Sequence, residues 1–404
     1  MDNLTHTLFG LAAGELVQRS LPAEADSQAQ QTRARMLRFA GFAASNFPDL
    51  DLFATRLLPA PLGYLLHHRG HTHTLLYALP QALLLAALIW LLWPAARRLL
   101  QASRPARTGL AICCLGGLAL HIGFDFLNSY GVHPFYPFDG RWVYGDMVFI
   151  LEPVFWIGFG IPVAMALRAR LPRWLLLTLL PLLLVLAAKG YLLWSAACVL
   201  IAAGAGLIAL GKRAGECGRQ SLAAGMAMAA LFVLGQAAAG NVARHTLASG
   251  LTEGGALVDA AMSAYPANPL CWRFATVQRD TAHDEIVVRR GVVSAMPFLL
   301  PAPACPAAMG PAGSGSAALR FAWEQRASLQ RLRQLANDDC HVAAWLRFAR
   351  IPALSAGRAS DARFGPGDNF STLHLDAHQP CPASVPGWGM PRADLLTGSP
   401  APAR

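Results

Sequence analysis

Long uncharged apolar stretches, separated by short arginine-bearing loops, constrain this chain more than any other feature. About 20 apolar residues carry a helix across the roughly 30 Å hydrocarbon layer of a bilayer. Residues 72–93, 109–124, 148–167, 190–211 and 220–243 qualify, with 174–188 as a shorter candidate. Two weaker segments, 4–17 and 37–53, are apolar but short and carry His6, Asp49 and Asp51. Of the 404 residues, 54% are hydrophobic and 14% charged, against about 25% charged in ordinary soluble domains. Such low polarity excludes a disordered chain and a typical cytosolic enzyme. The net charge of +10 is not gathered into a basic run, so nucleic acid is not expected as a partner. The N-terminus has neither the basic region nor the cleavage site of a signal peptide.

The basic residues set the expected topology. Arg19, Arg33, Arg35 and Arg38, then Arg97, Arg98, Arg104 and Arg107, then Arg168, Arg170 and Arg173, then Lys212, Arg213 and Arg219 occupy alternate loops. The other loops hold only Arg56, Arg69, Arg141 and Lys189. The positive-inside rule places the first set in the cytoplasm. With eight segments, both termini lie outside. The expected fold is mainly α: a polytopic helical membrane bundle of six to eight segments over residues 1–240, then a small α+β extramembrane domain over 241–404.

This topology brings scattered polar groups to the outer side of the membrane, where each ionisable group at depth needs a partner or a function. His121 and Asp125, four apart, share one helix face. His67 and His71 repeat that spacing, and Gly70 eases a turn that lets His71 approach His73. Pro48 discourages helix at Phe47, leaving Asp49 and Asp51 as a loop-borne carboxylate pair. A shared divalent cation satisfies all of these groups at once. Imidazole and carboxylate ligands suit zinc, with manganese or iron as alternatives. In bland readings, His68 and His133 are interfacial, Asp139 is a turn residue and Glu15 faces the cytoplasmic interface.

The segments DNLTHTLFG, FPDLD, HRGHTHTLL, HIGFDFLNSYG and WVYGDMVFILEP resemble the YdjM-type family, described as inner-membrane metal-dependent hydrolases. The resemblance covers residues 1–240, and YPANPLCWRF resembles the start of the family's extramembrane tail. It implies a polytopic hydrolase of the bacterial inner membrane, with His6, Asp49, Asp51, His71, His73, His121 and Asp125 as metal candidates. Relatives often carry Asp-Pro where this chain has Glu152-Pro153. The expected chemistry is metal-assisted hydrolysis of an ester or phosphoester. Asp49 or Glu152 takes the proton, and Arg69 clamps an anionic group. His67, Asn128 and Asp146 are candidates to support the ligands by hydrogen bonds. An outer-leaflet site favours membrane lipid or a lipid-linked molecule as substrate. The rival readings are a transporter that relays ions through the same His/Asp cluster and a non-catalytic membrane scaffold.

Beyond residue 241 charge rises. Residues 272–278 and 285–293 read as two strands around a polar turn, residues 319–336 as a helix and 341–354 as a strand. Segments 301–316 and 379–404, rich in Pro, Gly, Ala and Ser, read as loop or disorder. His245, His283, His341, His374 and His378 are expected to serve surface or packing roles. Cys113, Cys114 and Cys198 fall in spans and Cys217 in a cytoplasmic loop, none with metal-ligand spacing. Cys271, Cys305, Cys340 and Cys381 form two disulfides if the tail faces an oxidising periplasm, with three pairings open.

Overall fold

A computed structural model describes residues 1–167, 169–214, 218–251, 253–306, 308, 313–375 and 380–397. Arg168, Cys217 and His378 lie outside these residues. The chain forms two compact units, and neither is a single stretch of sequence. The first comprises Met1–Asp49, Thr72–Asn128 and Val148–Gly235; the second comprises Leu50–His71, Ser129–Met147 and Gln236–Arg404.

The helices, in chain order, are α1 (Asn3–Ser20), α2 (Ser27–Ala44), α3 (Leu62–His67), α4 (Leu75–Leu92), α5 (Pro94–Ala102), α6 (Arg104–Phe126), α7 (Pro153–Ala166), α8 (Arg170–Leu177), α9 (Leu179–Ala188), α10 (Trp194–Ala214) and α11 (Gln220–Gly250). Among the described residues, five stretches are long and apolar enough to cross a membrane: α4, α6, the run Arg170–Ala188, α10 and α11. Helix α7 is apolar but shorter. Polar residues mark several helix starts. The side chains of Asp2, Asp26, Thr74, Ser103 and Glu152 each accept a first-turn N–H, which satisfies donors that have no partner inside the helix. On α4, Leu83 and Leu92 are 72% and 76% exposed, a lipid-facing surface, while Ala78, Ala82, Leu85 and Ile89 pack against α2 and α6.

Helices α1 and α2 cross at glycines. A Cβ on Gly10 would lie 2.3 Å from the Gly41 carbonyl oxygen, and one on Gly41 would lie 2.2 Å from that of Gly10. This close approach lets the Ser45 hydroxyl, at the C-terminal end of α2, donate to the His6 carbonyl at 2.8 Å.

Two segments expected to be apolar begin or end elsewhere. Helix α2 starts at Ser27, because Asp26 caps it and its polar first turns lie on an exposed face. It stops at Ala44, and Pro48–Leu57 is a 3₁₀ helix rather than its continuation. The stretch 148–167 becomes helical only at Pro153, after the Glu152 cap.

The second unit contains β1 (Ala256–Tyr265), β2 (Asn268–Asp280), β3 (Glu285–Ser294), β4 (Ser314–Gly315) and β5 (Leu319–Ser328), paired antiparallel in the order β1-β2-β3-β5-β4. The expected hairpin is β2–β3. Then come α12 (Leu329–Asp338), α13 (Cys340–Trp345), a small sheet of β6 (Pro352–Ser355), β7 (Arg358–Asp361) and β8 (Leu373–His374), and α14 (Ala393–Thr397).

The expected helix over 319–336 is a strand to Ser328 and a helix only from Leu329. Residues 319–328 pair along β3, and Ser328 then caps α12. The expected strand over 341–354 is instead α13 followed by β6, because Asp339 accepts from the His341 and Val342 N–H groups and starts a helical turn. Within the stretches expected to be loop or disorder, 302–304, 314–315 and 393–397 are ordered as a 3₁₀ turn, β4 and α14. Disulfides join Cys271 to Cys305 and Cys340 to Cys381. The core of this unit draws Leu62, Leu65, Leu66, Tyr130 and Trp142 from the two inter-helix segments onto Trp345, Phe348 and Trp388.

Candidate metal centre

Helix α6 carries His121 and Asp125 one turn apart, both buried. His73 ends the short 3₁₀ turn His71–His73, and Asp49 follows Pro48 at the start of the longer one. One ligand atom from each of Asp49, His73, His121 and Asp125 lies within 4.8 Å of the others. His121 Nε2 is 2.9 Å from His73 Nε2. His73 Nε2 is 3.2 Å from Asp125 Oδ2 and 3.5 Å from Asp49 Oδ1. His121 Nε2 is 3.6 Å from each of the same two oxygens.

Neighbouring groups orient these side chains. His121 Nδ1 lies 2.7 Å from the Ser45 carbonyl oxygen, so Nδ1 carries the proton and the Nε2 lone pair faces the cluster. His6 stacks on His121 with ring centroids 4.0 Å apart. Its Nε2 is 3.3 Å from Asp125 Oδ1, an oxygen that also meets the α-amino group of Met1. No sequence signal marked Ser45, because its contribution to His121 is a backbone carbonyl placed by the helix crossing.

The structure therefore brings together Asp49, His73, His121 and Asp125, with His6 against them. The other expected site residues are placed differently. Asp51, His67, Arg69 and His71 belong to the second unit. There the Asp51 carboxylate accepts from the Arg69 N–H at 2.8 Å and lies 3.1 Å from His68 Nδ1. Arg69 has a φ of 58° and its guanidinium sits 4.7 Å over the Tyr130 ring. His71 packs against Trp388 and Tyr136. Burial lowers the His71 pKa; burial and the neighbouring His71 lower that of His67, so both imidazoles are neutral near pH 7.

Glu152 is buried and its Oε1 caps α7. Asn128 Nδ2 is 4.0 Å from the Met1 sulfur. Asp146, expected as a support for the ligands, instead forms a bidentate pair with Arg350 in the second unit. His133, expected at an interface, is buried between Trp142 and Trp388. Glu15 is buried and pairs with Arg19 and Arg38.

Membrane-spanning helices around a buried imidazole–carboxylate group define an integral membrane protein. Residues 1–196, just under half of the chain, are similar to the YdjM inner membrane protein family. The chain is also 28% identical over 157 residues to "Uncharacterized protein YfhP" of Bacillus subtilis (strain 168), a match covering 39% of this chain and 43% of that protein. The similarity thus spans less than half the length of that relative. No solved structure matches the chain.

Proposed function

We propose that the helical unit is a metal-dependent hydrolase in which Asp49, His73, His121 and Asp125 hold a divalent cation, zinc by preference. One observation carries this reading: the measured separations between donor atoms, 2.9–3.6 Å, bracket the edge of about 3.3 Å of a tetrahedral site with bonds of about 2.0–2.1 Å. Two neutral imidazoles and two carboxylates also match the charge and donor preference of such an ion. When bound, the cation supplies Lewis acidity, polarising the scissile oxygen of an ester or phosphoester and acidifying the attacking water.

The protein's own groups do the rest. Ser45 fixes the His121 tautomer, and His6 holds Asp125 in place. Asp49, with its side chain 9% exposed against 1% for Asp125, offers its second oxygen as the proton acceptor. The arginine distribution and the two disulfides of the second unit support a periplasmic tail, and with it a lipid or lipid-linked substrate at the outer leaflet.

The test is the metal content of the purified full-length protein, repeated for His121→Ala and Asp125→Ala, beside hydrolysis of a panel of lipid-linked and soluble esters. Loss of metal in both variants is expected. Unchanged metal in both overturns the site, and bound metal without hydrolysis of any ester overturns the enzyme reading.

A further inference from the structure

Buried arginines in this protein are engaged. Arg33 bonds Gln18 and Glu24, Arg289 bonds Glu324 and Gln278, Arg350 bonds Asp146 and Asp259, and Arg363 bonds Asp361. Arg290 is half-buried. Its Nε is enclosed by protein and has no hydrogen-bond partner among the described residues. Strand register explains its surroundings. Arg290 stands opposite Ala275 on β2 and Trp323 on β5, and Arg273 stands opposite Val292. Arg273 and Arg290 are therefore diagonal neighbours on one sheet face, within reach of each other's long side chains. A bulge in β5, where Gly291 pairs with Phe321 and Arg290 with Trp323, lies at this point.

Tyr265, 1% exposed, lies close enough to Arg273 to interact electrostatically, and its hydroxyl is likewise enclosed without a partner among the described residues. The acid that acts electrostatically on Arg290, Asp361, is already committed to Arg363 and to the Arg350 N–H. Burial and the charge of Arg273 push Arg290 down to about 10, while burial pushes Tyr265 up to about 12. Arg290 thus stays cationic and Tyr265 stays a donor at neutral pH. Two guanidiniums side by side, with an unanswered donor on Arg290, repel each other, and an anion placed between them relieves that repulsion.

We propose that this face of the sheet binds a phosphoryl group, with Arg273 and Arg290 as its charged contacts and the Tyr265 hydroxyl as a third donor. Two positive charges and a third donor fit a tetrahedral oxyanion with several acceptor oxygens better than a single carboxylate. Its source is either a soluble phosphate or the phosphodiester of an anionic lipid. The site lies wholly within the second unit and does not depend on the metal reading.

The experiment uses the full-length protein in neutral detergent and follows thermal unfolding with inorganic phosphate, with chloride at matched ionic strength, and with short-chain phosphatidylglycerol or phosphatidylcholine. Phosphate or phosphatidylglycerol should raise the melting temperature where chloride and phosphatidylcholine do not; whichever acts identifies the source. Arg290→Met should abolish that response and melt higher than the parent without ligand, because the repulsion between two neighbouring cations has gone. Arg273→Gln should also abolish the response, and Tyr265→Phe should weaken affinity about tenfold. A parent that responds to neither ligand, an Arg290→Met that responds like the parent, or one that melts lower without ligand overturns the proposal.

Discussion

In the helical unit, Asp49 and Asp125 face imidazoles; in the second unit, Asp146, Asp259 and Asp361 face guanidiniums. Arg350 alone makes bidentate pairs to two carboxylates, at 2.9–3.1 Å, and lies 4.0 Å over the Tyr144 ring. Burial disfavours that cation, but Asp146 and Asp259 more than offset the loss and hold its pKa well above the ordinary value. The second network is electrically closed by the chain itself. In the first, the α-amino group of Met1 and the imidazoles face the two acids, and under the proposed reading a divalent cation from outside joins them. Both groups are buried and polar, so burial does not distinguish a site from a support. The sign and mobility of the compensating charge do.

The largest effect that would sharpen this contrast is in metal content. His121→Ala or Asp125→Ala should lower bound metal by tenfold or more, whereas Asp259→Ala should leave it unchanged. Acidification should act the same way: protons compete for Nε2 of His73 and His121, so metal held at neutral pH is released as pH falls through the histidine range. Retention of metal at pH 4 would break the comparison.

Next in size, Asp259→Ala strips Arg350 of half its charge partners and leaves Arg392, 3.6 Å from the same carboxylate, less compensated. A loss of about 3–5 kcal/mol is expected, read as a lowered melting temperature of the full-length protein. Replacing Cys340 and Cys381 together by serine should cost about 2–4 kcal/mol, again without loss of metal. The smallest effect belongs to Asp26→Ala, whose carboxylate caps α2 from an exposed position. About 1 kcal/mol is expected, and a shift in metal content there would show that the cluster senses helix stability generally.

Part of this was legible in the sequence. The four-residue spacing of His121 and Asp125 is local, and a helix turns it directly into a shared face. Asp49 and His73 could be named as candidates because charged and imidazole groups beside apolar spans need a reason to be there. What stayed hidden depends on distance along the chain. Asp146 and Arg350 are 204 positions apart, and no spacing rule connects them, so Asp146 looked like a helper to the metal. The strand at 319–328 was obscured because its residues suit either period, and pairing with β3 decides between them. Ser45 was invisible because it acts on His121 through an atom every residue possesses.

The interleaved make-up of the second unit has a consequence for biogenesis. Leu62, Leu65, Leu66, Tyr130 and Trp142 leave the ribosome well before the strands and helices that cover them. Until the last third of the polypeptide is synthesised, these apolar side chains have no partner surface, and the cell must hold them in an assembly intermediate that neither aggregates nor is degraded. Truncated or stalled products, lacking everything after the final spanning helix, should therefore be cleared by membrane quality control even when their bundle has inserted correctly.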